Sequence, residues 1–136
     1  MANAIYGISR KAFLDGDIDL LVDDIRVVLV DLADYTVDID VHDFLADIPA
    51  GARVAVSASL ATKNTDLGVF DAADITFGSV TGDESEALVI YQHTGSDATA
   101  KLIAFIDTGV TGLPVTPNGG DITVTWDSGA DKIFKI

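Results

Sequence analysis

Residues 87–107 read ALVIYQHTGSDATAKLIAFID, and this stretch decides the fold. Leu88 to Tyr91 and Leu102 to Ile106 are apolar at successive positions. A strand wetted on one side alternates apolar and polar residues; one that does not alternate is covered on both faces. Between the two runs, His93 to Ala100 contains Thr94-Gly95-Ser96-Asp97, which are turn formers. The stretch predicts a hairpin of two central strands, each buried on both sides.

Working outward, apolar runs recur along the chain with Gly, Pro or Asp between them. Ile5 to Leu14 is closed by Asp15-Gly16-Asp17, and Asp24 to Asp31 is rich in β-branched residues. Thr36 to Val41 alternates strictly, as does Arg53 to Leu60. Ala73 to Val80, Asp121 to Trp126 and Lys132 to Ile136 complete the series. Such spacing is the signature of a sandwich or barrel. Helical signal is thin. Asp17 to Ile25 places Ile18, Leu21, Val22 and Ile25 at near-helical spacing, and Val41 to Ile48 does the same with Val41, Phe44, Leu45 and Ile48 before Pro49. The expected fold is all-β: a jelly-roll-like antiparallel β-sandwich of about eight strands with one or two short helical turns. An immunoglobulin-like sandwich is the alternative. Residues 1–136 are read as one domain, a length that supports a core without disulfide or metal.

Composition agrees. Of 22 acidic residues only Glu84 and Glu86 are not Asp, and Asp favours turns over helix interiors. The 8 basic residues leave a formal net charge of −14, which repels nucleic-acid backbone and anionic lipid and favours basic partners. No nucleic acid or membrane partner is expected. There is no cysteine, so thiol catalysis and disulfides are excluded. No signal peptide is read at the N-terminus, and the apolar runs are far too short to span a bilayer as a helix.

Searches for reactive patterns return structural readings. Asp15-Gly16-Asp17-Ile18-Asp19 opens like a calcium loop, but Leu20 stands where Gly is needed and Arg26 where Glu is needed. Asp38 and Asp40 share the wet face of an alternating segment. His42 and His93 lie in no zinc-ligand pattern, and there is no nucleophile elbow. The glycines at Gly78, Gly82 and Gly119-Gly120 lack the Lys-Ser/Thr end of a phosphate loop. Trp126 reads as a core or interface anchor. No enzyme, cofactor or resident metal is expected.

Four stretches together carry a resemblance: YGISRKAFLDGDIDLLVDDIRVVLVD (6–31), HDFLADIPAGARVAVSASLATK (42–63), GVFDAADITFGSVTGDESEALVIYQHTG (68–95) and LIAFIDTGVTGLPVTPNGGDITVTWDSGADKIFKI (102–136). They resemble a family of small virion structural proteins of tailed bacteriophages, most like head decoration, or cement, proteins. LPVTPNGGDITVTWD and KIFKI are the most specific parts. The resemblance implies a homo-oligomer, dimer or trimer, that folds in the host cytoplasm. It would bind the major capsid protein on the outer capsid surface of the virion and stabilise the shell. The alternatives are a neck or tail subunit (adaptor, tube or fibre-associated) and a glycan-binding module. Terminal segments can add a strand to a neighbour's sheet edge. The candidate partner-binding residues are therefore Ile5, Tyr6 and Ile8 from the segment Ala2 to Ile8, and Lys132, Ile133, Phe134 and Ile136 from the last segment. That last segment has two possible homes, the chain's own sheet or a neighbour's.

Overall fold

The computed structural model describes residues 3 to 136. Among them are nine strands and one α-helix, and every strand pairing is antiparallel. The expected hairpin forms the centre. Strands β6 (Ala87–Gln92) and β7 (Leu102–Ile106) pair, and β2 (Ile25–Val30) adds to the other side of β6. β1 (Ala4–Ile5) and β3 (Arg53–Val56) close the sheet as edges, in the order β1-β7-β6-β2-β3.

Alternation along the central strands divides their side chains between two apolar clusters. Leu88 and Ile90 of β6 point into one, with Ile25, Val27 and Leu29 of β2. Val89 and Tyr91 point into the other, with Val28 and Val30. A bulge between Ile90 and Tyr91 pairing shifts β7 by one residue, so Ile103 and Ala104 both face the first cluster while Leu102 and Phe105 face the second.

A second layer covers the first cluster. It consists of two short ladders, β4 (Val69–Phe70) with β9 (Phe134–Lys135) and β5 (Ile75–Phe77) with β8 (Ile122–Val124). Phe70, Phe77, Val124 and Phe134 descend from it into the core. Trp126 is buried there as the sequence suggested, its indole N–H donating to Ala73 O at 3.1 Å. Chain 31–52 has no strand and covers the second cluster with Tyr35, Leu45, Ile48 and Ala52. The fold is thus an all-β antiparallel sandwich whose second layer is two ladders instead of one continuous sheet.

The helical expectations need correction. Among the described residues the one α-helix, α1 (Gly7–Asp15), takes up most of the segment Ile5 to Leu14 that opened the series of apolar runs. Gly16 stops it in a left-handed conformation, where Gly16 and Asp17 N–H groups satisfy the last carbonyls of Phe13 and Ala12. Asp17 to Ile25 is not helical: the Asp19 carboxylate accepts from Leu21 and Val22 N–H, which holds a tight turn. Of Val41 to Ile48 only Leu45–Asp47 forms a single 3₁₀ turn, and Val41 is exposed. Thr36 to Val41 is no strand. Val37 and Ile39 lean on the second cluster while Thr36, Asp38 and Asp40 face water, and Ile39 O accepts from Gly7 N–H, a residue of α1. No helix among the described residues is long and apolar enough to cross a membrane.

Candidate partner-binding surface

The two terminal segments lie side by side. β1 pairs only with β7, with Ile5 opposite Ala104 and Tyr6 N–H donating to Ile103 O at 2.9 Å. Asn3 pins its start: the amide oxygen accepts from Asp107 and Thr108 N–H, and its NH₂ donates to Thr108 O. β9 pairs only with β4, placing Phe134 opposite Phe70 with ring centroids 5.2 Å apart. Between them runs a groove of about 380 Å³, the open seam between the two layers. Ala104 and Ile106 of β7 form its floor, and β1 and β9 form its walls.

Four of the candidate residues, Ile5, Lys132, Ile133 and Phe134, line this seam. The other three do not. Tyr6 is fully buried, its hydroxyl 3.0 Å from the Tyr35 hydroxyl. Ile8 belongs to α1, not to a strand, and packs half-buried on the second cluster. Ile136 is exposed beyond the seam and donates its N–H to Gly68 O at 3.0 Å. Ala2 lies outside the described residues. Both terminal strands are paired within the chain, so the last segment has its home in its own sheet. Among the described residues each has one strand partner, so each leaves one edge open.

The polar groups sequence reasoning singled out are placed apart. Half-buried His42 joins a hydrogen-bonded chain: Asp38 N–H donates to His42 Nδ1 at 3.2 Å, so that nitrogen is an acceptor. The Tyr35 hydroxyl lies 3.0 Å from the same nitrogen and, on its other side, meets Tyr6. Burial, reinforced by the Tyr35 hydroxyl, pushes the Tyr6 phenol far above its ordinary range; burial also raises Tyr35. His93 stands elsewhere, edge-on to the Tyr91 ring. Asp15 pairs with Lys11 and Asp19 caps its turn, so the calcium-like run spends carboxylates on local bonds. The carboxylates that do converge are Asp31, Asp34 and Asp83, with oxygens within 4.8 Å of one another. Asp31 and Asp34 are three residues apart, but Asp83 joins them from about fifty residues on, which is why no local motif marked the trio. Buried Asp31 is engaged at one oxygen by Ala33 N–H.

Comparison with models of known protein families finds no match, and no curated protein matches the sequence either.

Proposed function

We propose that this chain is a decoration protein of a tailed-phage head, binding the outer surface of the major capsid protein shell and stabilising it. The resemblance of the four quoted stretches motivates the reading. The observation that carries it is the seam between β1 and β9, where two strands without a second neighbour wall a single groove. An extended segment of a shell subunit added to either edge would be held by main-chain hydrogen bonds, with side-chain pockets setting specificity. The formal charge of −14 favours a basic docking face and salt-sensitive attachment.

The test uses heads stripped of the protein. Purified chain should rebind to saturation, and rebinding should restore resistance to heat and osmotic shock. Bare heads that withstand both treatments equally well would overturn the stabilising role. Copy number in the particle separates this reading from a neck or tail position: a count on the scale of the shell subunits supports the head, and a count matching a single ring supports the portal axis.

A further inference from the structure

Among the described residues, four that are not glycine have left-handed backbone: Thr62, Leu67, Ser79 and Lys132. Three of them, Thr62 (φ 55°), Leu67 (φ 52°) and Lys132 (φ 48°), line the same surface hollow of about 510 Å³. Left-handed backbone outside glycine is unfavourable and persists where surroundings enforce it, often at surfaces shaped for a task. Leu67 is also 88% exposed. A second hollow of about 410 Å³ lies against Leu21 and Lys63 and shares Asn64, Asp66 and Leu67 with the first. Leu67 therefore stands as a knob between two hollows.

The knob is held firmly. Asn64 and Asp71 exchange both backbone hydrogen bonds at 2.9 Å, closing the hairpin beneath it. Gly68 O accepts from Ile136 N–H, and Lys63 Nζ donates to Asp23 O at 2.6 Å. The charged residues lining the two hollows are Asp66, Asp71, Lys63 and Lys132, which cancel. The whole formal charge of −14 therefore resides on the rest of the chain.

We propose that Leu67 and the hollows beside it form the surface through which two copies of this chain associate. Leu67 of each copy seats in a hollow of the other, with Lys63 and Lys132 facing Asp66 and Asp71 across a two-fold axis. Charge chooses the occupant. Two molecules this acidic repel each other over most of their surface, and this locally neutral patch around exposed Leu67 is where they can meet. A basic partner would be drawn to the acidic remainder instead. Both signs of charge beside one knob also suit the self-complementary contact of a two-fold dimer. The inference deepens the proposed function by naming the contact of its homo-oligomer. It is tested on the isolated chain, so it can fail while head binding stands, and the reverse.

The experiment is sedimentation equilibrium of the purified chain over a wide concentration range, beside Leu67→Asn and Lys132→Glu. Asn is at ease in left-handed backbone, so Leu67→Asn relieves the strain without endangering the fold. The wild type should show a monomer–dimer equilibrium. Each substitution should weaken it by at least about tenfold. The Tm of Leu67→Asn, read on dilute monomer, should be unchanged or raised. A wild type that stays monomeric at every concentration overturns the proposal, as does a dimer of unchanged affinity in Leu67→Asn.

Discussion

Single atoms set the behaviour of two tightly constrained places in the chain. In the tyrosine–histidine relay, the Tyr35 hydroxyl can donate to His42 Nδ1 and accept from Tyr6. Tyr6→Phe removes one hydrogen bond and leaves Tyr35 its other partner, so we expect a loss of about 1 kcal/mol in denaturant unfolding. The same burial sets a pH response. Tyr6, Tyr35 and Tyr91 all have phenols raised above the ordinary value, each chiefly by burial. The neutral phenols are favoured by the fold, so their stabilisation is complete below the unfolded tyrosine value of about 10 and is lost as pH rises beyond it. Unfolding at alkaline pH should coincide with the rise of tyrosinate absorbance. Ionisation that precedes loss of structure would show the rings are open to water. Gly68 is the second such place. Its φ is 78°, and a Cβ there would stand 2.7 Å from Ile136 O. Gly68→Ala combines backbone strain with a main-chain clash, and should cost about 2 kcal/mol or more in Tm-derived stability. The left-handed Leu67 beside it was not legible in the sequence. Asn64-Thr65-Asp66-Leu67-Gly68 reads as an ordinary turn, and only tertiary contacts decide which of its residues takes positive φ.

At the scale of elements, β9 carries the clearest consequence. It has only two residues in its ladder, yet Ile133 and Phe134 are both buried in the larger cluster. Phe134→Ala should cost about 3 kcal/mol, and deleting Lys132 to Ile136 should abolish cooperative thermal unfolding. A truncated chain that melts as sharply as the full one would contradict the pairing with β4. The elements also show what sequence can carry. β2, β6 and β7 were legible because strands buried on both faces announce themselves by unbroken β-branched and aromatic runs. Thr36 to Val41 misled because period-two alternation reports which side chains meet the core, not whether a partner strand lies alongside. Here Val37 and Ile39 face inward with no ladder. α1 escaped because its sequence, GISRKAFLD, mixes β-branched and aromatic residues with an exposed Leu14, which blurs the helical stripe. The left-handed stop at Gly16 and the Lys11–Asp15 pair four residues apart were the available signals. Of the candidate site, the last segment was legible as a strand, whereas the first is strand only at Ala4–Ile5 before it turns into α1; their meeting at one seam follows from β4 capturing β9, a pairing between residues 69–70 and 134–135 that no local pattern encodes.

For the whole molecule, charge ties stability, attachment and self-association together, and ionic strength separates them. Among the described residues, four arginine or lysine side chains are spent on ion pairs with Asp15, Asp24, Asp40 and Asp97, all at least partly exposed, where each contributes little. Most carboxylates therefore repel one another at neutral pH, and screening them should raise the Tm of the isolated chain as salt increases. The proposed attachment to a basic shell should respond in the opposite direction, weakening with salt because its attraction is screened. The Leu67 contact differs from both. Its lining charges cancel, and its driving force is apolar burial, which salt leaves largely intact. Dimer affinity, measured across a wide salt range, should hold steady or strengthen as repulsion between the remaining acidic surfaces is screened, whereas the proposed head binding should fall. A dimer that dissociates as salt rises would instead depend on charge attraction, and the neutral patch around Leu67 would not be the contact.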